Sequence, residues 1–202
     1  MTANTTINIE KHILFYKHEF VVTCLPSDLL HDASINFARL WELHPADFHE
    51  IPQPFTGKRI PVPRWQQAYG HDYRFAGTTN RALRIPDLLT PFLEWSRRQF
   101  DGRLNGLLLN WYDANRHHYI GPHSDSTKGL IPGTPIVTVS LGATRIFRVH
   151  SRSTKERRDF DASHGAVFVM PWETNLHTKH EVLYRADSYG QRISVTARAF
   201  AT

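Results

Sequence analysis

The sequence has little cysteine and no long apolar run. Its one cysteine, Cys24, cannot form an internal disulfide, which excludes the small disulfide-stabilised secreted domains, and we interpret it as a small buried apolar residue. No run of about 18 apolar residues occurs, and the first residues lack the basic and apolar segments of a signal peptide. We therefore predict an intracellular protein, cytoplasmic or, in a eukaryote, nuclear, without membrane contact.

Low-complexity segments and internal repeats are also absent. With 202 residues, of which 41% are hydrophobic, the chain is long enough and apolar enough to bury a core, so we predict an ordered protein. We predict one domain and a monomer without an obligate protein partner. The formal net charge of +5 suits a polyanionic partner but does not identify one.

Three potential metal ligands stand in the second half of the chain: His123, Asp125 and His180. Residues two apart in a strand point to the same side, so the first two can face one cavity while Ser124 faces away. The β-branched and aromatic segment HGAVFVMPW predicts a strand that brings the third ligand in. Two histidines and a carboxylate form the facial triad that binds ferrous iron. The alternative is a chance pair among 13 histidines.

The last strand-like segment, QRISVTARA at 191–199, places Arg192, Ser194, Thr196 and Arg198 on one face. Two guanidinium groups are costly to bury unless an anion pairs with them, and the planar fork of arginine binds a carboxylate through two hydrogen bonds. This face predicts a dicarboxylate ligand. The alternative is the solvated face of an edge strand.

A similar pair lies upstream in the segment GLLLNWY. Asn110 and Tyr112 are two apart on a predicted strand, so their amide and phenol groups share one side and can bind one ligand. The alternative is that both are core residues whose polar groups are satisfied within the protein. This pair alone does not separate the two interpretations.

In this order, N-x-Y, H-x-D, His and R-x-S-x-T-x-R resemble the AlkB family of Fe(II)- and 2-oxoglutarate-dependent dioxygenases, which oxidatively remove alkyl groups from nucleic-acid bases. The resemblance covers roughly residues 55–200, and Ser194 stands where relatives commonly have asparagine. It implies that O2 is a co-substrate and that Fe(II) is held by His123, Asp125 and His180. It implies that 2-oxoglutarate is held by Asn110, Tyr112, Arg192, Ser194 and Arg198, with its far carboxylate on Arg192 and its keto-acid end near Arg198.

The resemblance also implies a fold. We predict an α+β, mainly β architecture, in which a double-stranded β-helix of the jelly-roll type is supported by N-terminal helices. Helical spacing of apolar residues predicts one helix over about 26–40 and another over about 86–100. We predict that roughly residues 1–105 form an N-terminal extension with a substrate lid and that roughly residues 106–202 form the jelly-roll catalytic core.

The segment at 54–77 resembles the lid of AlkB relatives that act on DNA. By that resemblance, Tyr73 and Phe75 stack on an extruded base, Arg64 contacts the substrate, and Phe55 is nearest to an apolar finger that replaces the base in the duplex. The alternative is that the two stacked aromatics are core residues. Thr127 stands where the family commonly has a carboxylate that contacts the damaged base, so the substrate need not be a cationic lesion.

These features support several functions. The first is oxidative dealkylation of alkylated DNA or RNA, which a basic group in a predicted hairpin loop also favours. The second is a 2-oxoglutarate-dependent hydroxylase of a small molecule or protein side chain. A non-catalytic nucleic-acid-binding module and a zinc hydrolase are weaker alternatives, since neither explains the triad together with the paired arginines. The basic group comprises Arg152, Lys155, Arg157 and Arg158.

Overall fold

The computed structural model describes residues 9–15, 17–32, 36–53 and 55–201, and strands dominate it. Several strands of the second half, among them Ile136–Gly142, Ala166–Met170 and Gln191–Arg198, are rich in β-branched or aromatic residues. The strands are β1 (Glu10–Leu14), β2 (His18–Cys24), β3 (Glu50–Pro52), β4 (Arg59–Pro61), β5 (Trp65–Tyr69), β6 (Tyr73–Phe75), β7 (Thr78–Asn80), β8 (Ala82–Leu83), β9 (Gly106–Asp113), β10 (Ile120–His123), β11 (Ile136–Gly142), β12 (Arg145–Ser151), β13 (Arg157–Ala162), β14 (Ala166–Met170), β15 (Thr178–Val182) and β16 (Gln191–Arg198).

The helices are short and few. The predicted helix over 26–40 is instead two separate helices, with 33–35 outside the described residues; Asn36 begins the second by accepting hydrogen bonds from two backbone amides. The helix predicted over 86–100 is confirmed as a 3-10 turn, Asp87–Leu89, that continues into an α-helix. The α-helices are α1 (Ser27–Leu30), α2 (Phe37–Trp41), α3 (Thr90–Gln99) and α4 (Trp172–His177).

Two antiparallel sheets build the core. The larger has the strand order β1-β2-β14-β11-β16-β9-β5-β8, with only the β5–β8 pair parallel, and the smaller has the order β10-β15-β12-β13. An aromatic cluster that includes Phe20, Phe147 and Phe168 draws residues from both sheets and packs between them. This arrangement is a jelly roll, so the predicted fold class is confirmed. Strands from the first 105 residues extend the larger sheet at both ends.

Strand β16 lies in the middle of the larger sheet, between β11 and β9. Its Ile193, Val195 and Ala197 belong to the apolar core, while Arg192 and Arg198 are buried on the opposite face. The alternative of a solvated edge strand is therefore wrong. Because the polar side chains of β16 are buried, they can be satisfied only by groups inside the protein or by a ligand.

The interpretation of Cys24 as buried is wrong. It is the last residue of β2 and its side chain is exposed: it shares a face with Phe20 and Val22 but lies at the end of the strand, outside the apolar cluster to which they belong. Along the described part of the chain, every helix is too short or too polar to cross a membrane.

Candidate metal centre and ligand cavity

The structure brings the three predicted metal ligands together. His123 on β10 and His180 on β15 are direct partners in the strand pairing, and their ring centroids are 4.3 Å apart. Asp125 follows the end of β10, and its Oδ1 lies 3.7 Å from Nε2 of His123 and 3.8 Å from Nε2 of His180. One nitrogen or oxygen from each residue lies within 4.8 Å of the other two, which is the separation expected of atoms that share one ion.

Both imidazoles are prepared to act as ligands. Nδ1 of His123 hydrogen-bonds to the carbonyl oxygen of Gly121 at 2.9 Å, which turns Nε2 toward Asp125. Burial, together with the positive fields of His123 and Arg198, lowers the pKa of His180 to about 3. His180 is therefore neutral near neutral pH, the form in which imidazole has a lone pair for a metal. The donor set fits Fe(II).

Arg198 holds Asp125 in place. Its Nη2 and Nε donate to Oδ2 of Asp125 at 2.6 and 3.2 Å, so Oδ1 is left facing the histidines. Burial alone would raise the pKa of Asp125, but Arg198 and the two imidazoles hold it well below its usual range. Arg198, predicted to lie near the keto-acid end of the co-substrate, thus also orients a metal ligand.

Asn175 is a supporting residue that sequence reasoning missed. Its side-chain oxygen accepts from the backbone amide of Asp125 at 2.9 Å, and its side-chain nitrogen donates to the carbonyl of Asp125 at 3.0 Å. The paired bonds fix the backbone of the ligand after its strand has ended. The only signal in the sequence is an asparagine in the short segment before His180, which has no meaning until the fold places it beside residue 125.

Ser124, predicted to face away from the metal ligands, lines the cavity, and its hydroxyl is held by hydrogen bonds to other parts of the chain. Its hydroxyl donates to the carbonyl of Thr178 and accepts from Nη2 of Arg152 at 2.8 Å. Arg152 therefore joins the H-S-D segment to the β12–β13 hairpin and is not a free cation of the basic group. The other members of that group, Lys155, Arg157 and Arg158, are exposed on the hairpin.

The second arginine of β16 is deeply buried and incompletely paired. The side chain of Arg192 is 0% exposed, and its Nε donates to the hydroxyl of Ser140 at 2.9 Å. Its Nη1 and Nη2 have no hydrogen-bond partner among the described residues, and Tyr112 lies against the guanidinium, with its ring 5.1 Å from Cζ. Two unpaired N–H-bearing atoms on a buried fork fit a carboxylate. Ser140 is a further residue that sequence reasoning missed.

One cavity of about 550 Å³ connects the arginine to the candidate metal centre. Ser194 lies beside Asn110 on β9 and Ser140 on β11 in the strand register, and all of β16's inward polar residues line the cavity. The far wall is made by the lid segment. Residues predicted to bind 2-oxoglutarate therefore share a space with the triad: Asn110, Tyr112, Arg192, Ser194 and Arg198 all line it.

Tyr73 and Phe75, the two aromatic residues predicted to stack on a base, line the same cavity as the three candidate metal ligands. The hydroxyl of Tyr73 donates to Oδ1 of Asp125 at 3.4 Å and accepts from the amide of Ser126 at 3.2 Å, while its ring covers Arg198. Phe75 is stacked 5.5 Å from Tyr73 and is partly exposed. Burial first, and then Asp125, raises the pKa of Tyr73, so the phenol stays protonated as a donor. Tyr73 is a buried aromatic and a wall of the cavity at once.

The other residues predicted to bind the substrate, Phe55, Arg64 and Thr127, do not share the position of the two stacked aromatic residues. Phe55 is fully exposed at the tip of the β3–β4 hairpin, with a positive φ of 71°. Arg64 is buried, and its Nε and Nη2 donate to side-chain oxygens of Asn110 at 2.8 Å and Gln66 at 3.2 Å. Thr127 does not line the cavity. Its neighbour Ser126 does.

His118, close to this lid, makes stability depend on pH. It is buried against Trp65, and its Nδ1 accepts from the amide of Asp113, so the folded chain holds it neutral. Burial, with Arg116 and Arg64, lowers its pKa. The unfolded chain binds a proton here that the folded chain does not, so stability falls as pH decreases below about 6.5.

We expect the metal-free protein to lose stability between about pH 7.5 and about pH 5.5, and His118→Gln to reduce that loss by about 1 kcal/mol. Urea unfolding at the two pH values measures it. The pKa values of His18, His49 and His180 are also lowered by burial, so part of the loss remains in the variant. An unchanged pH dependence in His118→Gln would contradict the assignment.

Comparison with known proteins agrees with this geometry. Residues 46–198 match the 2OG-Fe(II) oxygenase superfamily. The chain is similar to the DNA oxidative demethylase ALKBH2 of Mus musculus, with 34% identity over 70% of this chain and 64% of the relative, and of Homo sapiens, with 31% identity over 70% and 58%. It thus spans less than two thirds of the length of these relatives. The solved structure of OsALKBH1 has the same fold, with a TM-score of 0.58 and 15% identity over 94% of this chain and 99% of that one.

Proposed function

Because the chain belongs to the 2OG-Fe(II) oxygenase superfamily, whose members use Fe(II), 2-oxoglutarate and O2, we propose that it oxidatively removes alkyl groups from nucleic-acid bases. The observation that carries the proposal is one cavity in which a His-Asp-His cluster, an incompletely paired buried guanidinium and two stacked aromatic rings meet. The His-Asp-His cluster suits the metal, and the guanidinium suits the co-substrate. The stacked rings suit a planar substrate.

His123, Asp125 and His180 would hold the iron, which when bound supplies the oxidising chemistry that hydroxylates an alkyl C–H bond next to nitrogen. Arg192 would pair with the far carboxylate of 2-oxoglutarate through Nη1 and Nη2. Arg198 keeps Asp125 ionised and oriented. The residues that line the cavity would position the reacting groups, and no side-chain nucleophile is needed. A hydroxylated N-alkyl group leaves as an aldehyde.

The lid supports a nucleic-acid substrate. Chemistry on a base requires its extrusion from the duplex, and a base flipped into a pocket is held by stacking. Tyr73 and Phe75 both line the cavity, with ring centroids 5.5 Å apart, and Phe55 presents an apolar side chain at an exposed hairpin tip. The relatives at 31–34% identity are named as DNA oxidative demethylases. Exposed Lys155, Arg157 and Arg158 suit phosphate contacts.

The proposal is tested by incubating the iron-loaded protein with 2-oxoglutarate, O2 and oligonucleotides that carry single N-methylated bases. We expect formaldehyde and succinate in equal amounts, and neither product to rise with the unmodified oligonucleotide. Formation of succinate with methylated peptides or small molecules, but with no methylated nucleic acid, would favour the hydroxylase alternative instead.

Phe55→Ala tests the hairpin as an apolar finger. The side chain is fully exposed, so its removal should leave stability unchanged. We expect turnover of a methylated base in duplex DNA to fall about tenfold, because no side chain would fill the gap that the extruded base leaves in the duplex. Turnover of the same base in single-stranded DNA should stay the same. Tyr189→Ala, at another exposed aromatic, is the matched control. Equal losses on both kinds of strand would contradict a finger role.

A further inference from the structure

The charges that line the cavity are unequal. Three buried arginines line it, Arg64, Arg192 and Arg198, against a single carboxylate, Asp125. With both histidines counted as neutral ligands of the metal, the lining carries a formal excess of two positive charges. A ferrous ion and a doubly ionised 2-oxoglutarate would leave that excess unchanged, since their charges cancel. The substrate therefore enters a positively charged space.

No carboxylate of the lining is free to pair with a cationic base. Asp125 is engaged by Arg198 through two nitrogens and faces the imidazoles with its other oxygen. Ser126 and Thr127, the two residues that follow it, are neutral. A cation placed in a buried site without an anionic partner loses its hydration and gains repulsion from the neighbouring arginines.

The lining is also richer in donors than in free acceptors. Arg64 is held by Asn110 and Gln66, whose side-chain oxygens are used in those bonds. These bonds occupy its Nε and Nη2, so Nη1 is left to donate to a ligand; Tyr119 and Ser126 add hydroxyl groups. A donor-rich, positively charged wall is complementary to carbonyl oxygens, and an amino group that carries positive charge is a poor match to it.

We propose that the substrate is an uncharged base whose alkylated ring nitrogen is flanked by carbonyl oxygens, as in N3-alkylated uracil or thymine. This specificity rests on the proposed dealkylation of nucleic acids and narrows it. Stacking on Tyr73 and Phe75 supplies binding energy that does not depend on charge. Arg64 and the field of the three arginines then favour the neutral, carbonyl-bearing ring.

The test compares two substrates of nearly identical shape in the same single-stranded oligonucleotide. 3-Methyluracil is neutral with carbonyls on both sides of the methylated nitrogen, and 3-methylcytosine is a cation near neutral pH with an amino group on one side. We expect kcat/KM, measured by formaldehyde release, to be at least about tenfold higher for 3-methyluracil. Equal rates, or faster turnover of 3-methylcytosine, would overturn the inference while leaving the dealkylase function in place.

A pair of variants tests the electrostatic cause. Ser126 lines the cavity, and its hydroxyl makes only a local contact with the amide of Lys128 at 3.4 Å. Ser126→Asp adds a carboxylate, and Ser126→Asn adds the same bulk without charge. We expect the ratio of 3-methylcytosine to 3-methyluracil turnover to rise several-fold in the aspartate variant relative to the asparagine variant.

The outcomes distinguish charge from shape as the cause of the preference, and the inference from the proposed function. A ratio that shifts equally in both Ser126 variants would show that shape, not charge, sets the preference, and would overturn the inference. Formaldehyde from neither methylated base, with iron and 2-oxoglutarate bound, would overturn the proposed function together with the inference. Thermal melting of both variants, compared with the parent protein, verifies that the ratios belong to folded enzymes.

Discussion

Replacing His180 with glutamine is expected to lower the affinity for ferrous iron by more than about 100-fold. Removing a residue that only hydrogen-bonds to a metal ligand already lowers metal affinity by about 10–100-fold, and His180 is itself a ligand in the proposed site. The same change should remove oxidative turnover. Stability of the metal-free protein should change far less. His180 is neutral in the folded chain, so the substitution removes no charge from the buried cluster.

Iron binding is measured by titration of the anaerobic apo-protein, and stability by urea unfolding of the same sample. His177→Gln is the matched control: the side chain is three residues away, 57% exposed and at the end of α4, so we expect unchanged iron affinity. Retention of tight iron binding in His180→Gln would contradict the assigned triad. Asp125→Asn is a poorer test, because it would also leave the buried Arg198 unpaired and destabilise the fold.

Strand periodicity predicted much of the site. Alternation placed Arg192 and Arg198 on one face of a strand and Asn110 and Tyr112 on one face of another, and the structure lines a single cavity with all four. This works because the side-chain repeat of a strand is local and fixed by backbone geometry. His123 and Asp125 face the same point for the same reason, although the strand ends at His123.

Pairings between distant segments were beyond local patterns. Nothing in the sequence near Asn175 indicates that it binds the backbone of Asp125, and Ser140 appears as an ordinary strand residue until β11 is placed beside β16. The role of Arg152 was misjudged in the same way, because its partner Ser124 is brought close only when the β12–β13 hairpin folds back. Such contacts depend on the order and register of strands, which are properties of the whole chain.

Breaks inside predicted elements have local causes that the hydrophobic pattern conceals. Apolar residues at helical spacing continue from Leu29 to Leu40, yet α1 ends at Leu30 and α2 begins only after Asn36. The asparagine side chain accepts from the amides of residues 38 and 39, so it begins a new helix, a role for which asparagine is favoured. A capping residue inside a periodic run was the available signal.

Arg192→Met is expected to have opposite effects on ligand binding and on stability. The affinity for 2-oxoglutarate should fall at least about thirtyfold, because the co-substrate carboxylate would enter a buried site without its cationic partner. The free energy of unfolding of the ligand-free protein should rise by about 1–4 kcal/mol, since an apolar chain would replace a buried charge that is incompletely paired. Arg192→Lys keeps the charge but loses the planar fork. Its affinity for 2-oxoglutarate should lie between those of the parent protein and of Arg192→Met.

Both quantities can be measured without turnover. Manganese replaces iron, and the increase in melting temperature on adding 2-oxoglutarate reports affinity. A ligand that binds only the folded state stabilises it by an amount that grows with the logarithm of one plus the ratio of ligand concentration to Kd. The parent protein should show a clear increase and Arg192→Met almost none at the same concentration. Arg98→Met, on the exposed face of α3, should behave as the parent does. A variant at 192 that is destabilised without ligand and still stabilised by 2-oxoglutarate would mean that the guanidinium supports the fold and that the carboxylate binds elsewhere.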